Sequence, residues 1–368
     1  MLRNKALPTG FIDATRLTRA GRLVEATALI QRTLRDRHSA TEDDDRRVRG
    51  GEAHARNDAI EGEFLQVEEP VHAPVKQAPT GQFLAASYAN HAGSRAYKLY
   101  IPEGRTGQPL PLVVMLHGCT QSADDFAAGT RMNAIAEEQQ CLVLYPEQTH
   151  GANHSRCWNW FKRGDQRRDR GEPAVLAGMT QEVMIRHGGD PGKVFIAGLS
   201  AGGAMAAIMA ATYPDLYAAV GIHSGLACGS AHDLNSALAA MRGTPAAVGR
   251  TGAATSSTAA RPTIVFHGDR DKTVHPRNAQ DVVSQTIEQD RRLSANASTE
   301  RGEVPGGHAY TRTVYVDPAG RAVLEHWLVH GGGHAWFGGS PRGSYVDPKG
   351  PDAAREMMRF FYQSVPEQ

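Results

Sequence analysis

The chain has 368 residues, 40% of them hydrophobic, and its 40 lysine and arginine residues nearly balance 39 aspartate and glutamate residues. An α/β unit of this length can bury a large core. A formal net charge of +1 excludes the basic footprint of a nucleic-acid binder and argues against long-range steering of a charged ligand.

Residues 1–36 carry many arginines and no apolar stretch of secretory-signal type, which favours a cytoplasmic location. Within them, residues 12–35 are expected to form an amphipathic helix, with Leu17, Ala20, Val24, Ile30 and Leu34 on one stripe. Residues 37–80 are dense in mixed charge, poor in large apolar residues and closed by Pro70, Pro74 and Pro79; they read as a flexible linker. No apolar run reaches the roughly 18–20 residues of a membrane span. A catalytic domain is expected over 81–368.

That domain alternates strands with helices. Ala96–Ile101 reads as an edge strand, and Pro111–Leu116 (PLVVML) as a buried one. A helix follows over Asp125–Gln139, then a strand over Cys141–Tyr145. Glu147–Gly171 is an irregular loop, and Glu172–His187 a helix stopped by Gly188. Val194–Ala197 is a strand, Ser200–Thr212 a helix of small residues, and Ala218–Ile222 a strand. Residues 229–262 are expected to insert a variable loop region rich in Ala, Ser and Thr. Thr263–Phe266 is a strand, Arg277–Gln289 a helix, Thr311–Val316 and Leu324–Val329 a strand pair, and Asp352–Phe361 a closing helix. Such alternation predicts a mostly parallel sheet with helices on both faces, an α/β class.

Gly198-Leu199-Ser200-Ala201-Gly202 stands between strand and helix, the setting of a nucleophile elbow. Ser200 then lies at a helix N-terminus, where free N–H groups favour developing negative charge. His117-Gly118-Cys119-Thr120 follows the strand PLVVML, where this fold places an oxyanion loop; Cys119 or Thr120 would give one N–H and Ala201 the other. Fold order asks for an acid and then a histidine after the serine. Asp269 and Asp271 both follow the strand TIVF; Asp271 completes HGxxDxxV with Val274 and is preferred, leaving Asp269 as a turn residue. His334 follows three glycines and is preferred as base over His326 and His330.

Together HGCTQ (117–121), CWNWF (157–161), GLSAGG (198–203), HGDRDKTVHP (267–276) and GGGHAWFGG (331–339) resemble the polyhydroxybutyrate depolymerase family of esterases, which overlaps in sequence with feruloyl and acetylxylan esterases. The resemblance covers about residues 85–365. It implies an α/β-hydrolase fold, a triad of Ser200, Asp271 and His334, and an oxyanion hole at Cys119 and Ala201. It adds His117, Trp158, Trp160 and Trp336 as candidate substrate contacts, with core packing as the alternative for the tryptophans. No cofactor and no metal are implied. Secreted depolymerases of this type usually carry an export signal and a polymer-adsorbing domain; neither is recognised here, so short hydroxyalkanoate oligomers or small esters are expected rather than insoluble polymer. A feruloyl or acetylxylan esterase is the enzymatic alternative. A non-catalytic binding module on a hydrolase scaffold is the alternative of another class, opposed by the intact triad.

Four cysteines are present, with no zinc-type spacing. Cys119 and Cys157 stand on loops that leave the sheet at its catalytic edge, and a disulfide between them is expected to tie the CWNWF loop to the oxyanion loop. Two reduced buried thiols are the alternative in a reducing compartment.

Overall fold

A computed structural model describes residues 80–104, 107–244, 261–290, 293 and 297–365. The helix expected over 12–35 and nearly all of the linker lie outside the described residues. Six strands form the parallel centre of one sheet: β3 (Leu110–Leu116), β4 (Leu142–Pro146), β5 (Gly189–Leu199), β6 (Ala219–His223), β7 (Thr263–Gly268) and β10 (Ala322–Val329). Antiparallel strands flank them: β1 (Gln82–Asn90) and β2 (Gly93–Ile101) on one side, β9 (Ala309–Val316) and β8 (Ala297–Glu303) on the other. The order across the sheet is β1-β2-β4-β3-β5-β6-β7-β10-β9-β8.

The central strands are continuous apolar runs because both their faces are covered. On one face lie α3 (Gly171–His187), α4 (Ala201–Thr212), α5 (Leu234–Met241) and α6 (Arg277–Gln289), which bury Val175, Met179, Met205, Ile208 and Val282. On the other lie α1 (Ala123–Thr130), α2 (Met132–Gln139) and the closing α7 (Ala353–Ser364), which bury Phe126, Ile135, Met357 and Phe361. The expected α/β class, mostly parallel with helices on both faces, is therefore the observed architecture.

Three sequence expectations need correction, and one strand was not anticipated. The strand at 96–101 is not the edge: β2 pairs on both sides, and β1 is the edge. The helix expected over 125–139 is two helices, because Arg131 adopts φ 58° between them. The insertion at 229–262 contains α5, started by a capping box in which Asp233 accepts from Ser236 N–H; residues 245–260 lie outside the described residues. Finally, β8 (ASTERGE) has mostly exposed side chains and so shows no apolar signal. Two short strands, β11 (Trp336–Phe337) and β12 (Val346–Asp347), pair with each other beyond β10.

Candidate active site

The loops after β3, β5, β7 and β10 leave one edge of the sheet, the carboxyl edge where open α/β sheets hold ligands. Ser200 is the single residue between β5 and α4, with φ 58° and ψ −119°. This is a strained conformation for a non-glycine residue, of the kind that persists where surrounding structure enforces it. The enforcement is visible on both sides. A Cβ on Gly202 would lie 2.1 Å from Leu116 O, and one on Gly198 would lie 2.4 Å from the Gly202 carbonyl carbon. Ser200 N–H donates to His223 O at 2.8 Å, and Ser200 O accepts from Ala204 N–H at 2.9 Å. Ala201 follows at the first helical position, where helix geometry leaves the N–H without an intrahelical acceptor.

Asp271 and His334 meet directly: His334 Nδ1 lies 2.7 Å from Asp271 Oδ2. The other carboxylate oxygen accepts the N–H groups of Thr273 and Val274, each at 2.8 Å. Burial alone would raise the Asp271 pKa. Hydrogen bonds from His267 and His334, with the charge those rings can carry, outweigh it and hold the carboxyl well below the usual range. Asp271 thus stays ionised beside the imidazole.

The rival residues have other work. Asp269 accepts from Gly331 N–H at 2.7 Å and lies 3.0 Å from His330 Nδ1. With Asp269 N–H to Val329 O and Arg270 N–H to Gly332 O, both 3.0 Å, it joins the acid loop to the GGGH loop. Gly268 is required at this seam, because a Cβ there would lie 2.2 Å from Gly332 O. His223, at the end of β6, connects the two halves. Its carbonyl holds Ser200, and its Nε2 accepts from Phe337 N–H at 3.1 Å. Burial, then the nearby His267 and His334, keep its pKa well below the ordinary value.

The loop after β3, the candidate oxyanion loop, is fixed peptide by peptide. His117 Nε2 accepts from Gln148 N–H at 3.1 Å, so in the neutral ring the proton sits on Nδ1, which donates to Gly118 O at 2.7 Å. Burial lowers the His117 pKa and favours this neutral form. Since the Gly118 carbonyl is turned toward His117, the trans peptide turns the Cys119 N–H the opposite way. Thr120 N–H is already given to Ser155 O at 2.7 Å. Of the two donors considered from sequence, Thr120 N–H is thus engaged within the protein, which leaves Cys119 as the candidate. Gln121 adds a second brace: its Oε1 accepts from Gly118 N–H at 2.9 Å, and its Nε2 donates to Asp125 Oδ2 at 2.8 Å.

The expected disulfide is present: Cys119 is bonded to Cys157, with Cα atoms 4.2 Å apart. Glu172, a residue that sequence reasoning passed over, anchors the far side of the CWNWF loop. Its buried carboxylate accepts from Asn159 N–H and Nδ2, each at 2.7 Å, from Gln148 Nε2, and from Arg95 at 3.2 Å. Burial, reinforced by Asp165, raises its pKa.

The candidate substrate contacts need correction. His117 and Trp158 are 0% exposed and Trp336 is 1% exposed, so these rings are inside the fold. Trp158 donates its indole N–H to His117 O at 3.2 Å, and Trp336 stacks on His223 at 4.9 Å between ring centres. Trp160 is 6% exposed and packs edge-on against Phe161. Large aromatic rings beside a tight loop fill it as readily as they line a cleft, and sequence does not separate the two. Among the described residues, no helix is long and apolar enough to cross a membrane.

The strand order, the parallel centre and the positions of the serine, aspartate and histidine loops define an α/β-hydrolase fold. An acetyl xylan esterase from Aspergillus awamori shares it, with a TM-score of 0.59 at 21% identity over 73% of this chain and 94% of that one. The chain belongs to the esterase PHB depolymerase family, whose model matches residues 95–306. It is 32% identical to poly(3-hydroxyalkanoate) depolymerase C of Paucimonas lemoignei over 270 residues, which span 72% of this chain but only 62% of that protein. It is 27% identical over 263 residues to feruloyl esterase B of Thermothelomyces thermophilus, covering 65% of this chain and 87% of that protein.

Proposed function

We propose that the protein is a serine esterase that hydrolyses short hydroxyalkanoate oligomers or small esters through an acyl-enzyme. The observation that carries this reading is the buried Asp271 carboxylate on His334 Nδ1, in a fold that sets Ser200 on a strained elbow two strands away. Ser200 Oγ attacks the ester carbonyl while His334 Nε2 takes its proton, and Asp271 stabilises the imidazolium. Cys119 N–H and Ala201 N–H hold the oxyanion, a donor of this kind being worth about 3–4 kcal/mol. The intermediate collapses as His334 returns the proton to the leaving alkoxide. Water, deprotonated by His334, then releases the acid and restores Ser200.

The depolymerase relative supports hydroxyalkanoate esters as substrates. The feruloyl esterase relative, most of whose length the chain covers, supports feruloyl or acetylxylan esters as the second reading. The test is hydrolysis of p-nitrophenyl acetate and butyrate before and after a serine-directed phosphonate, with mapping of the labelled peptide. Rates on 3-hydroxybutyrate oligomers, methyl ferulate and acetylated xylan then choose the substrate. Phosphonate on a residue other than Ser200, or full activity of Ser200→Ala, would overturn the mechanism.

A further inference from the structure

We propose that Tyr345 is a specificity-determining substrate contact, taking the part of an extended ester that lies beyond the scissile bond. This rests on the serine-esterase reading above. Among the described residues, large hydrophobic side chains are exposed at Leu84, Ile185, Leu234 and Tyr345. The first three stand on β1, on α3 and at the start of α5. Tyr345 alone stands beside the candidate site, and three observations fix it there.

The first is its connection to both halves of the site. Tyr345 O accepts from Trp336 N–H at 2.7 Å, two residues after His334. Its hydroxyl lies 3.2 Å from Thr120 Oγ1, one residue after Cys119. The residue therefore bridges the base loop and the oxyanion loop.

The second is that its backbone is held in place. Ser344 donates its N–H to Asp125 Oδ1 at 2.9 Å and its hydroxyl to Asp125 Oδ2 at 2.6 Å. That same carboxylate holds Gln121, which braces Gly118. Ser340 N–H donates to Gly129 O at 2.8 Å, and a Cβ on Gly343 would lie 2.5 Å from Asp125 O. The segment is clamped on α1 and carries the ring on a fixed base.

The third is strain without burial. Tyr345 has φ 53°, a left-handed conformation that a bulky residue adopts rarely. The residue is nevertheless 48% exposed, so core packing does not compensate for that conformation. A glycine would relieve the backbone, and a small polar residue would suit the solvent. Strain maintained under an exposed aromatic ring, at the junction of two catalytic loops, points to a ring kept for a ligand. Such a ring offers a flat apolar face and a hydroxyl. It suits the next unit of a hydroxy-acid oligoester or the aromatic acyl group of a ferulate, and adds little for acetate.

The experiment measures kcat/KM for the 3-hydroxybutyrate trimer, methyl ferulate and p-nitrophenyl acetate with the full chain and with Tyr345→Ala, Tyr345→Phe and Tyr345→Gly. The readout is the ratio of each larger ester to acetate. Tyr345→Ala and Tyr345→Gly are expected to lower that ratio by about tenfold, a difference of roughly 1.4 kcal/mol, for whichever larger ester the enzyme accepts. Tyr345→Phe, which keeps the ring, should recover most of the ratio. Tyr345→Gly should melt no lower than Tyr345→Ala, since it relieves the left-handed backbone. A ratio within twofold of the unsubstituted enzyme for both larger esters in both ring-deleted variants overturns the proposal. Absence of Ser200-dependent hydrolysis in the unsubstituted enzyme would instead defeat the esterase reading on which it rests.

Discussion

Breaking the Cys119–Cys157 bond should lower the melting temperature by about 6 °C and slow the enzyme as well. The bond closes a loop with a sequence separation of 38. Constraining a chain segment of that size removes about 13 cal/mol/K from the unfolded ensemble, or roughly 3.9 kcal/mol at 25 °C. The described part of the chain runs from 80 to 365. At roughly 2.1 cal/mol/K per residue its unfolding entropy is about 0.6 kcal/mol/K, and the quotient gives the shift. The rate should fall because the bond holds the residue whose N–H is proposed to bind the oxyanion. Calorimetry of the oxidised protein, the reduced protein and the Cys119→Ser/Cys157→Ser double variant measures the first effect, and p-nitrophenyl butyrate turnover the second. The remaining cysteines, Cys141 and Cys228, are buried with their thiols pushed up to about 12, so they should react with thiol reagents only after unfolding. Melting within 2 °C of the oxidised protein for both the reduced protein and the double variant would refute the loop-closure reasoning.

Asp271→Asn should lower kcat by about four orders of magnitude, as loss of the orienting carboxylate does in such triads, while Asp269→Asn, which only loosens the seam to Gly331, should cost far less; steady-state kinetics of the pair decides between them. His117→Leu removes the donor to Gly118 O and the acceptor for Gln148 N–H; kcat should fall by about 10²–10³ with little change in KM, and a thermal shift without a kcat effect would show the ring to be structural only. Stability should decline as pH falls below about 6.5, because burial depresses the folded-state pKa of His117, of His223 and of His326, the last to about 4. A neutral buried imidazole contributes its full share above the unfolded pKa and loses it as the unfolded chain takes up protons. Asp271 extends the decline: its share is present above about 3.9 and is lost as pH falls through its lower folded value. A urea midpoint unchanged between pH 7.5 and 4.5 would contradict this.

What the sequence showed depended on what physical constraint each residue records. Gly198, Gly202 and Gly268 are legible because backbone atoms stand within 2.5 Å of where their Cβ would be, so no other residue fits. The parallel strands are legible because both faces are covered, and α6 (Arg277–Gln289) because one strongly apolar face repeats at helical spacing. The preference for Asp271 over Asp269 rested on the spacing to Val274, and Val274 N–H does bind the Asp271 carboxylate. By contrast, β1 and β8 carry exposed side chains and declare no core. The preference for Cys119 over Thr120 as candidate donor depends on Ser155, 35 positions away in sequence, and no local pattern carries that. Glu172 looked like an ordinary acidic residue in a helical first turn; only its burial among Gln148, Asn159 and Arg95 reveals its function as an anchor.

The two sides of the site are braced to different degrees, and that difference assigns different consequences to their loss. On the oxyanion side, one peptide is held by His117 from within, by Gln121 through Asp125, and by a covalent bond to Cys157. Donors fixed before charge develops need no reorganisation when the oxyanion forms, which is where a hydrolase gains most. On the base side, His334 is held by one carboxylate and by a loop whose Gly331 and Gly332 are tied to the acid turn. In the proposed mechanism that imidazole accepts and returns a proton in each half-reaction, with the ionised Asp271 carboxylate as its fixed partner. Tyr345 stands where the two sides join, bonded to Thr120 on one and Trp336 on the other, yet exposed. Weakening the first side should therefore lower kcat for every ester, and weakening the second should abolish turnover. Changing the residue between them should alter which esters are preferred.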